Sequence, residues 1–110
     1  MPKVKKSYEV IYPNAIRVLK GSLVDILREE TNSAWLGWLW CRSEDGQEGW
    51  ISKEYLITEG SKATLKCDYD AKEASVRASE FVEVLKEEHG WAWIKKSDGS
   101  EGWIPSENLE

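Results

Sequence analysis

The chain has 110 residues, with 15 Lys/Arg against 20 Asp/Glu and a formal charge of −5. That balance excludes nucleic acid and anionic membrane as expected partners, because both require a basic face, and no apolar run approaches the roughly 18 residues of a membrane span. Cys41 and Cys67 fit no metal-ligand spacing beside a single histidine, so free thiols, no metal and no cofactor are expected.

In chain order, the cluster Lys3, Lys5 and Lys6 precedes an opening strand near Tyr8, and residues 9–15 form a long excursion carrying one acid, Glu9. Leu23, Asp25 and Leu27 alternate with Val24, Ile26 and Arg28, and period two predicts a strand over 22–28. After a connection containing Trp35, the alternation of Trp38, Trp40 and Arg42 with Leu39, Cys41 and Ser43 predicts a strand over 38–43. Asp45-Gly46 marks a tight hairpin, since that turn needs positive φ values, and a return strand follows over 47–52. A short turn near Lys53-Glu54 leads to Leu56, and residues 57–62 are expected to be a linker. The order then recurs: an opening strand near Tyr69, a shorter excursion, strands over 80–86 and 91–96, the turn Asp98-Gly99, a strand over 100–105, a turn near Ser106-Glu107, and Leu109. No stretch carries a convincing apolar helical stripe.

The recurrence is literal in places. Asp45-Gly46-Gln47-Glu48-Gly49-Trp50-Ile51 and Asp98-Gly99-Ser100-Glu101-Gly102-Trp103-Ile104 lie 53 positions apart, as do Trp38-Leu39-Trp40 and Trp91-Ala92-Trp93. Such a period denotes duplicated units. The expectation is an all-β chain of two small five-stranded barrels in tandem, residues 1–58 and 59–110. The first half balances 8 Lys/Arg with 8 Asp/Glu, whereas the second has 7 against 12 and carries the whole −5. Domains this small bury only about 60% of their unfolded surface and need large side chains. Seven Trp exceed that need, so some are expected at the surface as adhesive residues.

The ordered motifs resemble Src-homology-3 domains of the variant type common in bacteria. Cys67-Asp68-Tyr69-Asp70-Ala71 is similar to the tail of that family's opening Ala-Leu-Tyr-Asp-Tyr motif, Glu80-Phe81-Val82-Glu83-Val84-Leu85 to its second strand, Gly90-Trp91 to the start of its third, and Gly102-Trp103-Ile104-Pro105-Ser106 to its Gly-aromatic-aliphatic-Pro-Ser signature. The first half matches through residues 21–27, Gly37-Trp38 and Gly49-Trp50-Ile51. The resemblance implies a shallow groove that stacks the prolines of an extended peptide on aromatic faces. It places Tyr69, Trp91, Pro105 and Asn108 in one groove, with Glu73 and Asp70 as acidic partners for a ligand Lys or Arg, and Tyr8, Trp38 and Tyr55 in a counterpart. Cys67 and Asn108 stand where that family carries groove tyrosines, and Ser52 stands for the Pro. Trp93 and Trp40 share the face of Trp91 and Trp38 and extend the two surfaces, or pack one module on the other.

Other residues carry structural expectations. Trp50 and Trp103, between Gly and Ile, are expected to be partly buried. Trp35 closes a contact between modules or meets a partner. His89 is a loop residue, and Asp45 and Asp98 have turn roles, so no acid–base pair or nucleophile is indicated. The reading is a non-catalytic module, cytoplasmic, that binds a protein or peptide segment carrying Lys or Arg, with or without proline. The alternatives are cell-wall peptidoglycan binding and self-association through exposed Trp.

Overall fold

A computed structural model of the chain describes residues 2–11 and 15–110; residues 12–14 of the first excursion lie outside them. The regular structure of the described residues is all β, apart from single turns of 3-10 helix. The chain forms two compact units, and neither coincides with a sequence half. One is continuous, Asn14–Lys72; the other is split, joining Met1–Pro13 to Glu73–Glu110.

The continuous unit holds β1 (Arg17–Val18), β2 (Leu23–Glu29), β3 (Trp38–Ser43), β4 (Glu48–Ser52), β5 (Leu56–Glu59), β6 (Lys62–Leu65) and β7 (Tyr69–Asp70). Its main sheet runs β4-β3-β2-β6-β5, and β1 pairs with β7. The β3–β4 hairpin turns at Asp45-Gly46, where Gly46 takes the positive φ of +89° that the turn demands. After β4, Ser52 caps the 3-10 turn Lys53–Tyr55 by accepting the Glu54 N–H. The expected linker 57–62 is instead part of a hairpin, β5–β6, because Lys62-Ala63-Thr64-Leu65 alternates and buries Ala63 and Leu65. Strand β6 belongs to the second sequence copy, yet it pairs with β2 of the first. This pairing keeps residues 1–58 from closing as a unit of their own.

The split unit holds β8 (Glu83–Glu88), β9 (Trp91–Lys95) and β10 (Glu101–Pro105), paired in the order β10-β9-β8. His89 and Gly90, both at positive φ, make the tight β8–β9 turn, which is the loop role expected of His89. Val4, Ala74, Val76, Val82, Ala92, Ile94 and Ile104 form its core, with Tyr8, Val84 and Leu109 packed against them. Val4 is fully buried there. Burying such a side chain stabilises by about 1.5–3 kcal/mol.

The opening segments of the two copies have changed places, bond for bond. Val4 N–H donates to the Glu80 carbonyl at 2.7 Å, as Leu65 N–H donates to that of Ser22 at 3.0 Å. Ser79 and Gly21 return equivalent bonds to Val4 and Leu65, at 2.7 and 2.8 Å. Lys5 N–H reaches Asn108, and Lys66 N–H reaches Tyr55, both at 2.8 Å. Tyr8 bridges to Val76, as Tyr69 pairs with Val18. Because the copies are alike, each opening segment finds the same partners in the other copy's body, and the exchange loses no strand pairing. This is domain swapping logic within one chain. It also redistributes charge: the continuous unit has 8 Lys/Arg against 10 Asp/Glu, −2, and the split unit 7 against 10, −3. The neutral and acidic halves of the sequence become two mildly acidic bodies, since Lys3, Lys5 and Lys6 join the acidic copy.

Candidate functional site

The exchange separates residues that the sequence placed together. Tyr69 and Asp70 belong to the continuous unit, whereas Glu73, Trp91, Trp93, Pro105 and Asn108 belong to the split one. Of the expected counterpart, Tyr8 joins the split unit, and Trp38, Trp40 and Tyr55 remain in the continuous one.

In the split unit, Tyr8 meets Trp91 edge-on, with ring centroids 5.8 Å apart and planes at 84°. Trp91 begins β9 immediately after the His89-Gly90 turn, and Pro105 lies opposite it at the end of β10, where it is buried in the sheet rather than open as the expected groove proline. Tyr8 and Trp91 are half-buried, so each keeps some aromatic surface open. Glu73 is not a rim acid. It is 8% exposed, and its Oε1 accepts the Tyr8 hydroxyl at 2.7 Å and the Ile11 N–H at 3.1 Å. A buried carboxylate is tolerable only when so bonded, and here it holds the Tyr8 hydroxyl. Asn108 is buried, and its Nδ2 donates to the Lys6 and Ser7 carbonyls at 3.0 and 3.1 Å. A tyrosine hydroxyl has one proton and could not make both bonds. The substitution that looked like a lost groove wall is a clasp on the exchanged segment.

In the continuous unit, Tyr55 and Tyr69 lie 5.1 Å apart at 37°. Tyr69 is buried and donates its hydroxyl to the Trp50 carbonyl at 2.9 Å, and Trp38 is only 4% exposed. Ser52, at the proline position, is spent on its cap. Asp70 Oδ1 accepts the Lys72 N–H at 2.9 Å.

Trp40 and Trp93 have matching roles that alternation alone could not reveal. Each lies opposite a second indole in a ladder, Trp50 at 5.1 Å and Trp103 at 5.4 Å, both edge-on. Each indole N–H donates to a glutamate on the adjacent strand at 2.7 Å, Glu48 and Glu101. Arg28 lies over Trp40 and Trp50, and Lys86 over Trp103. All seven Trp are buried or half-buried, including Trp35 in the turn Ser33–Trp35, and Trp103 is more deeply buried than expected. The openly exposed large apolar side chains are others, among them Leu19, Leu23, Ile57 and Phe81. An adhesive surface of exposed indoles is therefore not what the fold presents, because cross-strand stacking and carboxylate partners draw the rings in.

Both cysteines are free. Cys41 is fully buried, and burial pushes its thiol up to about 12, which keeps it protonated and unreactive at neutral pH. Among the described residues, no three His, Cys, Asp or Glu side chains gather as metal ligands, and no helix is long and apolar enough to cross a membrane.

The model of the variant SH3 domain family matches residues 3–58 and again residues 65–110. The chain belongs to that family. No curated protein and no solved structure matches it. The fold is that of tandem SH3-like β-barrel domains, with the opening segments exchanged between them. SH3 domains are generally non-catalytic modules that bind proteins or peptides.

Proposed function

We propose that the protein binds an extended peptide or protein segment, basic and proline-containing, on the split unit. The observation that carries this reading is the half-open Tyr8–Trp91 pair. Two partly open aromatic faces form the kind of surface on which a preformed polyproline helix stacks without a large ordering cost; Pro105 is buried and serves as packing. Glu9 and Glu107, both exposed, adjoin Tyr8 and Asn108 in the chain and supply carboxylates for a ligand Lys or Arg. Glu73, already bonded internally, does not take that role. The corresponding residues of the continuous unit, with Trp38 and Tyr69 buried, serve as packing rather than as a second groove.

Tryptophan fluorescence titrated with basic proline-containing peptides tests the reading. Trp91→Ala and Tyr8→Ala should each weaken binding about tenfold, the loss of one stacking wall. Unchanged affinity in Trp91→Ala removes the proposed site.

A further inference from the structure

We propose that the continuous unit carries a second binding site, at the far end of β3 from Trp38, which takes a lysine side chain of a partner protein. The two copies contain the argument. In the split unit, Lys96 lies just past β9, and its ammonium donates to the Ser75 carbonyl at 2.8 Å and pairs with Glu80 at 3.8 Å. Its side chain is only 24% exposed, so the stem packs down while the head is neutralised. The equivalent positions in the continuous unit are fixed by matching backbone bonds. Ser43 and Lys96 each donate an N–H across the hairpin, to Gln47 and Ser100, both at 2.8 Å. Ser22 and Glu80 each donate to the residue three before, Leu19 and Arg77, at 3.0 and 3.1 Å. The pairs Val18–Tyr69 and Val76–Tyr8 align Arg17 with Ser75.

At all three positions the continuous unit differs: Ser43 replaces the lysine, Ser22 its glutamate, and Arg17 the serine. All three line a cavity of about 380 Å³, where the split unit has its ion pair. Leu19 and Leu23, 62% and 50% exposed, supply apolar wall, and the acids Glu44 and Asp45 outnumber the one lining cation, Arg17, with Asp45 Oδ1 accepting the Ser43 hydroxyl. Apolar wall with a net negative rim suits a long aliphatic stem ending in an ammonium, the group that the other copy holds there by itself. None of the groove aromatics lines this cavity. Ser43 lies five strand steps from Trp38 along β3, on the order of 16 Å.

The test uses the 15N-labelled full chain, titrated with acetyl-Gly-Lys-Gly-amide and with its norleucine counterpart. Saturable shifts are expected at the Leu19, Leu23 and Gly46 amides, with the norleucine peptide about tenfold weaker for want of the charge-assisted contact. Ser43→Lys should supply the side chain in cis and abolish the shifts. Should that variant fold poorly, Lys96→Ser provides the converse: it should open a matching site and bring new shifts to Ser75 and Glu80. Equal binding of the norleucine peptide, undiminished binding in Ser43→Lys, no gained site in Lys96→Ser, or shifts confined to Tyr55, Tyr69 or Trp91 would each overturn the proposal.

Discussion

Strands β3 and β9 descend from one sequence and are used differently. In β3, Trp38, Leu39, Trp40 and Cys41 are all buried, so both faces of the strand are covered; in β9, half-buried Trp91 and Trp93 alternate with buried Ala92 and Ile94. A strand covered on both faces acts as core, whereas an alternating one keeps a wet face for other work. Duplication supplied two similar strands, and burial has left the aromatic residues of one of them partly open.

The exchange of opening segments gives the sharpest way to break this comparison. Leu65→Ala should destabilise by about 3 kcal/mol and Val4→Ala by about 2 kcal/mol, the cost of removing methyl groups from a closed core. The location of the damage matters more than its size. Hydrogen exchange should rise in β2 and β3 for Leu65→Ala, and in β8 to β10 for Val4→Ala. The reverse assignment would mean that each sequence half folds on its own opening segment.

Next come the glycines of the two Gly-Trp-Ile strings. A Cβ at Gly102 would stand 2.8 Å from both the Ala74 nitrogen and the Glu73 carbonyl carbon, which are backbone atoms and cannot step aside. At Gly49 the nearest atom, also at 2.8 Å, is the Ile16 Cγ2 methyl, with the Ile16 nitrogen at 3.0 Å. Gly102→Ala should therefore cost about 3 kcal/mol and Gly49→Ala nearer 1.5 kcal/mol, within the usual span for overpacking. Urea titration of the two variants checks the order. Asn108→Ala should follow at about 1–2 kcal/mol, since it strands the Lys6 and Ser7 carbonyls. Its signature is loosening of residues 6–8 with little change in β2 to β4.

Most strands were legible because alternation and Asp-Gly turns are local signals, whereas the β5–β6 hairpin stood where a linker was expected. Strands β2, β3 and β9 lie where period two put them and β4 and β10 where the Asp-Gly turns did, while β8 begins three residues late. What was not legible is which opening segment joins which body. Val4 and Leu65 are interchangeable apolar anchors, and no local pattern states a partner between equivalent sockets. The same blindness affected the site. The sequence grouped Tyr69 with Trp91, because nearness in the chain was the available guide, whereas the structure sets Tyr8 against Trp91. Glu73 and Asn108 were named as groove residues, yet their work is to hold Tyr8 and the segment before it. The one hint was chemical: an amide can serve two carbonyls where a phenol cannot.

The smallest expected effect again contrasts the units. Two aspartates, half-buried Asp25 and exposed Asp98, sit below their ordinary value of 3.8, one in each unit. For Asp25 the leading cause is the hydrogen bond and charge of Lys62, 2.7 Å away on β6, with Arg42 adding at 3.7 Å. For Asp98 it is the hydroxyl and N–H of Ser100 in the same turn. A depressed carboxylate contributes stability that is fully present above its unfolded value and is lost as pH falls through the folded one. Acidification below about pH 4 should thus weaken both, but the pair Asp25–Lys62 joins β2 to the exchanged strand β6, whereas Asp98 and Ser100 only shape a hairpin. Amide exchange near β6 should quicken on acidification more than exchange near the Asp98-Gly99 turn, and added salt should reproduce part of the former by screening the exposed pair. In Asp25→Asn the β6 amides should be insensitive to the same step, while the turn at Asp98 still responds. Equal response of both regions in the variant would show that the ion pair contributes nothing to holding the exchanged strand.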